Sequence, residues 1–186
     1  MGQQKVVIEI PDWIASSAPP GDYPTDEDRM RLVIALARRN VETRTSGPFG
    51  AAVFERSRGR LVGAGVNLVL PMRNSILHAE VVAIMVAEER LKSFTLGSET
   101  GAEHELVTSC EPCAMCLGAL HWSGITRLVT GATKADVEAF RFDEGPVFPE
   151  SYRYLEERGL AVRRGVLREE ARAVLALYAS MNGEIY

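Results

Sequence analysis

All three cysteines of this chain fall within seven positions, Cys110, Cys113 and Cys116. Thiols crowded like this make a poor disulfide framework for a chain of 186 residues and a good metal-site pattern. Pro112 suits the first turn of a helix running to Trp122, and residues three apart on a helix point their side chains the same way. Cys113 and Cys116 can therefore share one ion. Upstream, His78-Ala79-Glu80 opens a second, largely apolar run to about Lys92 that also reads as a buried helix. His78 supplies a nitrogen from there, so two helix starts converge on one ion.

The rest of the chain supplies the scaffold. Residues up to Tyr23 are rich in Pro, Gly and Ser and read as an irregular arm, 1–24, ahead of one domain spanning 25–186. Thr25 and Asp28 form an N-capping pattern, followed by Met30, Val33, Ile34, Ala37 and Val41 on one helical face. Ala51–Phe54 and Leu61–Val66 predict a hairpin around Ser57-Arg58-Gly59. Further strands are expected at Glu105–Ser109, Arg127–Thr130 and Ala161–Val166, with short helices at Ala135–Phe140 and Glu150–Glu157. A closing helix, Arg168–Met181, carries Ala171, Val174, Leu175 and Tyr178 on one face. Helices between strands predict a three-layer α/β/α sandwich, and the hairpin makes its five-stranded central sheet mixed.

Composition narrows the partners. A net charge of −4 without a Lys/Arg block argues against a general nucleic-acid binder. The longest apolar stretch, Val81–Ala87, is too short to span a bilayer, no signal peptide is apparent, and Met1-Gly2 lacks the rest of a myristoylation signal. The cytoplasm is the expected compartment.

The site chemistry follows from the ligand count. His78, Cys113 and Cys116 leave the fourth tetrahedral position of a zinc ion for water, the mark of a catalytic centre. Glu80 is not needed as a ligand and is placed to take a proton from water and pass it to a substrate. The combination H-x-E with P-C-x-x-C is the signature of zinc deaminases acting on nucleobases. Cys110 reads as a packing residue beside the site, His104 and His121 as packing or surface residues, and Asp136, Glu138 and Arg141 as surface charges.

From Gly47 to its end the chain resembles the cytidine deaminase-like superfamily and, within it, the bacterial guanine deaminases. The sharpest stretch is Thr108-Ser109-Cys110-Glu111-Pro112-Cys113-Ala114-Met115-Cys116-Leu117-Gly118-Ala119, which is also similar to the tRNA adenosine deaminases. The resemblance implies one zinc ion per chain, a pocket aromatic at Phe49 and a base-reading amide at Asn67. It implies a second aromatic wall at Trp122 and a second carboxylate at Glu144, with Asp143 as the competing choice. The tail Asn182-Gly183-Glu184-Ile185-Tyr186 resembles one whose final Tyr closes the site of a partner subunit, which implies a homodimer with a swapped tail. The implied reaction is hydrolysis of guanine to xanthine and ammonia. Deamination of adenine, cytosine, a nucleoside or the triazine ammeline stays open, as do a tRNA adenosine deaminase and a zinc-stabilised binding module without turnover. The long arm, the Arg58-Gly59 turn and the Ser98–His104 loop depart from the family pattern.

Overall fold

Alternating side chains give the central sheet two apolar faces. Ala51 and Val53 of β1 (Gly50–Glu55), Leu106 of β3 (His104–Cys110) and Leu128 of β4 (Arg127–Ala132) point to one side. Ala52, Phe54, Val107 and Val129 point to the other. In this computed structural model, which describes residues 5–97 and 101–186, β2 (Arg60–Val66) pairs antiparallel with β1, Ala51 opposite Gly65. On its other side β1 pairs antiparallel with β3, Ala52 opposite Val107. β4 runs parallel to β3, and β5 (Ala161–Arg163) parallel to β4, so the five-strand order is β2-β1-β3-β4-β5. Positions 1–4 of the arm, with Met1-Gly2, and positions 98–100 of the Ser98–His104 loop lie outside the described residues.

Helices cover both faces, as the alternation of strands and helices requires. α2 (Asp26–Glu42) and α8 (Arg168–Ser180) pack on the Phe54 side, and α4 (Ala79–Leu91) and α5 (Ala114–Ser123) on the Leu106 side. Thr25 caps α2 by accepting from the Asp28 backbone N–H at 3.1 Å, while the Asp28 carboxylate reaches back to the Thr25 N–H at 3.3 Å. The apolar faces expected on α2 and α8 are buried throughout. The sandwich is the three-layer mixed-sheet fold expected from the sequence.

Two close contacts set the site's position. A Cβ at Gly65 would fall on the backbone of Ala79 and Ala83, so a glycine here lets the first turns of α4 lie directly on β2. β2 and β3 both run opposite to β1 and are therefore parallel to each other. Their carboxyl ends, the start of β1 and the N-termini of α4 and α5 share one edge, where open α/β sheets bind ligands.

Several local expectations are corrected. The arm is not irregular throughout: α1 (Trp13–Ser17) forms within it, and Ile14 and Ala18 join the main core. A short α3 (Val69–Met72) follows β2. Pro112 lies just ahead of the N-cap Cys113 and not inside the helix. α6 (Lys134–Ala139) and α7 (Pro149–Glu156) occur where expected. Asp136, read as a surface charge, is buried: it caps α6 through the Thr133 N–H at 2.9 Å and takes the Arg168 guanidinium at 2.7 and 2.9 Å. That guanidinium holds its carboxyl well below the usual range.

The opposite edge of the sheet holds a paired charge network. Glu105, fully buried at the start of β3, accepts from Arg29 and Arg127. Arg127 also forks onto Asp26 at 2.6 and 2.8 Å, and Arg163 reaches the same carboxylate. Arg127 foremost, then Arg163, draw Asp26 down to about 2 against the effect of burial.

Candidate metal centre and active site

Two helix starts meet at this edge. His78 is the N-cap of α4 with extended backbone (φ −67°, ψ 157°), and its side chain makes no capping bond. Cys113 is the N-cap of α5, and Cys116 stands one turn inside it. His78 Nδ1 lies 3.6 Å from Cys113 Sγ and 3.7 Å from Cys116 Sγ, and all three donor atoms fall within 4.8 Å of one another. Zinc–sulfur bonds of ~2.3 Å and zinc–nitrogen bonds of ~2.0 Å at tetrahedral angles require N···S separations of roughly 3.5 Å. Both N···S separations match a shared zinc ion, and three donors leave one position of the tetrahedron over.

The thiols behave as a pair. Cys113 is drawn down to about 4 by the Cys116 thiol and then by His78, against burial. The same partnership with Cys113, together with burial, pushes Cys116 strongly up. A divalent cation held between the two sulfurs would favour both thiolates. Cys110, buried at the end of β3, belongs to no ligand cluster among the described residues, and burial raises its thiol far above the usual range. It is the packing residue expected.

Of the carboxyls that line this cleft, Glu80 and Glu144 are the buried ones. Glu80, in the first turn of α4, is buried, and burial followed by the Cys113 charge raises its pKa. Glu144 is buried as well, and its backbone carbonyl accepts from the Ala114 N–H at 3.0 Å, which fixes its loop to the start of α5. Burial, then the charges of Cys113 and Glu80, push its carboxyl up to about 8. Asp143, the competing choice, is exposed and spends Oδ1 on the Gly145 N–H at 2.8 Å.

Aromatic rings wall the cleft. Phe49 meets Phe142 edge to face at 5.0 Å, and Phe142 meets Tyr186 the same way at 6.0 Å. The tail bearing Tyr186 folds over its own chain's cleft, held where the Tyr178 hydroxyl donates to the Glu184 carbonyl at 2.6 Å. The sequence led us to expect Tyr186 at a partner's site. Asn67 lies just behind Phe49, its N–H on the Phe49 carbonyl at 3.1 Å, and is buried. Its Oδ1 accepts from Ser46 Oγ at 2.7 Å and from the Val69 N–H at 3.1 Å, while its Nδ2 is buried without a partner.

Trp122 does not reach this cleft. It is 81% exposed and packs edge on to His121 at 5.0 Å. Nine residues beyond Cys113, it is half a helical revolution away from the ligand face and roughly 13 Å along the axis. Residues the sequence did not single out also shape the site. Asn40, fully buried on α2, donates to the Gly47 carbonyl at 2.9 Å and the Asn67 carbonyl at 3.0 Å. Glu111 lines the cleft, accepts from the Lys134 N–H at 2.7 Å and pairs with Arg164 at 3.2 Å. A polar residue in the buried stripe of α2 was a signal for Asn40; nothing local marked Ser46.

Comparison with known proteins adds the relatives. Residues 24–132 match the family model for the cytidine and deoxycytidylate deaminase zinc-binding region. Guanine deaminase of Bacillus subtilis is 32% identical over 143 residues, covering 77% of this chain and 87% of that protein. A solved guanine deaminase from Nitrosomonas europaea is 41% identical with a TM-score of 0.90, covering 96% of this chain and 100% of that one. A crystal structure of a mutant protein in complex with 8-azaguanine is 40% identical with a TM-score of 0.92, covering 98% of this chain and 100% of that one.

Proposed function

Because the chain belongs to the cytidine and deoxycytidylate deaminase zinc-binding family and is a zinc-dependent hydrolytic deaminase, we propose that its substrate is guanine, converted with water to xanthine and ammonia. The observation that carries this reading is the pairing of two buried carboxyls, Glu80 and Glu144, both raised by burial, across one cleft from the three donor atoms. The guanine deaminases among the relatives, and the 8-azaguanine bound to a similar chain, support the choice of base.

Zinc, when held by His78, Cys113 and Cys116, acts as a Lewis acid that makes water nucleophilic near neutral pH. Glu80 takes the proton from the attacking water and returns it to the ring nitrogen beside the amino-bearing carbon. Glu144, whose carboxyl burial raises, hands a proton to the departing amine and is reprotonated from the hydroxyl that becomes the product carbonyl. Phe49 and Phe142 flank the ring and Tyr186 closes the cleft against bulk water, which strengthens each charge interaction inside. Asn67 offers its free N–H donors to the base.

A homodimer in the cytoplasm, without a nucleic-acid partner, belongs to the same proposal. Among the described residues no helix is long and apolar enough to cross a membrane. A tail swapped between subunits would seat Tyr186 on a partner as it sits here on its own chain. Mixed dimers of Glu80→Ala and tail-deleted subunits, active only if tails are exchanged, test that point. Residues 25–186 form the proposed deaminase domain. Removal of the arm, 1–24, is expected to cost stability through Ile14 and Ala18 and to spare the site.

Ammonia release by the zinc-loaded protein from guanine, adenine, cytosine, adenosine, cytidine and ammeline tests the assignment, with Glu80→Ala as blank. Release from guanine alone is expected. Selective release from another amine would overturn the choice of base, and salt-sensitive tRNA deamination would replace it with a nucleic-acid substrate.

A further inference from the structure

Asn40 stands in the last turn of α2, fully buried, where asparagine is a weak helix former. The helix lies unusually close to the start of β1 at this point. A Cβ at Gly50 would fall 2.4 Å from the Val33 carbonyl and 2.8 Å from the Ala37 nitrogen, so only a glycine lets α2 and β1 approach this far. The approach brings the loop into β1 within reach of a side chain as short as asparagine.

The Asn40 amide closes a ring of hydrogen bonds. Its Nδ2 donates to the Gly47 carbonyl at 2.9 Å and to the Asn67 carbonyl at 3.0 Å. Both partners are backbone carbonyls, so the nitrogen must face them, and Oδ1 is left buried without a partner. The Phe49 N–H donates to the same Gly47 carbonyl at 2.9 Å, and the Asn67 N–H donates to the Phe49 carbonyl at 3.1 Å. Three segments that are distant along the chain are thus tied at one amide: the end of α2, the entry to β1 and the exit from β2.

The ring contains both residues read as base contacts. Phe49 lines the cleft. Asn67 has its side-chain oxygen taken by Ser46 Oγ at 2.7 Å and the Val69 N–H at 3.1 Å, which leaves Nδ2 buried and unpartnered. A buried amide with an orphan oxygen is costly to keep. What the Asn40 amide fixes is the separation of Phe49 from Asn67.

We propose that Asn40 is a positioning residue for base recognition, which sets the pocket ring and the Asn67 amide relative to each other without touching the substrate. This rests on the reading of the cleft as a nucleobase site. A ring and a hydrogen-bonding amide select a planar heterocycle only when their spacing is held, and the clamp holds it from behind.

Steady-state kinetics and hydrogen exchange on the zinc-loaded protein test the proposal. Asn40→Ala is expected to raise KM for guanine by about 5- to 10-fold, with kcat within about 2-fold and zinc content unchanged. Asn67→Ala removes the amide but keeps the backbone carbonyl that Asn40 grips. In that background the cost of Asn40→Ala is expected to shrink to about 2-fold, the share carried by Phe49. Independent of any substrate, exchange of the residue 49 and 67 backbone amides is expected to quicken in Asn40→Ala by about 10-fold more than at residues 106–108 of β3. Asn40→Asp keeps the side-chain volume but cannot give both N–H donors. It is the second variant should Asn40→Ala fail to fold, with the same ordering of losses expected. An unchanged KM in a folded variant, losses that simply multiply with Asn67→Ala, or exchange that quickens equally across the sheet would overturn the positioning role. A wild-type protein inert towards guanine would instead sink the choice of base, and exchange at residues 49 and 67 would still decide whether Asn40 holds them.

Discussion

Buried carboxylates stand at both ends of the central sheet, and their surroundings drive them in opposite directions. At the edge where β3 and β4 begin, Glu105 and Asp26 are matched by Arg29, Arg127 and Arg163, and Asp26 is held near 2. At the edge where β3 ends, Glu80 and Glu144 face thiols and an imidazole, and burial raises both. The first arrangement fixes charge in place. The second raises carboxyls out of their ordinary acidic range, the direction general acid–base chemistry requires. A zinc ion at His78, Cys113 and Cys116 offsets part of the rise at the second edge without supplying a guanidinium partner. One sheet thus keeps a static electrostatic end apart from a reactive one.

The sharpest way to break this contrast is Glu80→Gln. Ammonia release is expected to fall by about 10²–10⁴-fold, with zinc content and the unfolding midpoint unchanged. Turnover within a few fold of wild type would remove the reactive edge's claim to proton transfer. At the static edge, Arg29→Met takes one of two guanidinium partners from the fully buried Glu105, leaving Arg127, and is expected to destabilise the fold by about 1.5–3 kcal/mol in urea titration, with kcat per folded molecule preserved. A loss in kcat matching the loss in stability would mean that the two ends are not separate.

The pH dependence should split the same way. Asp26 has its pKa lowered from 3.8 to about 2, so the stability it adds is complete above 3.8 and lost as pH falls through about 2. The advantage of wild type over Asp26→Asn is expected to vanish in that acid window. Glu144 in zinc-stripped protein has the opposite sign. Its pKa is raised from 4.5 to about 8, so its contribution is complete below 4.5 and lost as pH rises through about 8. Wild type treated with a chelator is therefore expected to lose ground to Glu144→Gln as pH rises from about 4.5 to about 8, and parallel profiles across that window would contradict the burial argument. The smallest effect belongs to a local feature: Thr25→Ala removes the α2 cap and is expected to cost about 1 kcal/mol while leaving turnover alone.

Much of the scaffold was legible because its signals are local. The apolar stripes of α2 and α8, the Thr25 cap, the β1–β2 hairpin and the ligand spacing of Cys113 and Cys116 depend on residues a few positions apart, whose geometry the chain's covalent repeat sets. The arm was read too loosely because Ile14 and Ala18 are buried by contacts made far along the chain. Asp136 was read as a surface charge because Arg168, thirty-two residues on, is invisible to local pattern.

The sequence by itself determined the fold class and the three metal-ligand positions, and it offered Glu80 and the candidates for the second carboxylate. Only the tertiary structure showed that Glu144 is buried at the cleft while Asp143 lines it exposed, that Trp122 turns to solvent, and that Tyr186 joins Phe49 and Phe142 at the cleft wall. It alone brought the Ser46 hydroxyl onto the Asn67 side-chain oxygen. The physical reason is common to all of these: burial and hydrogen-bond partnership are properties of segments that meet only after the sheet has formed, and no spacing along the chain encodes them.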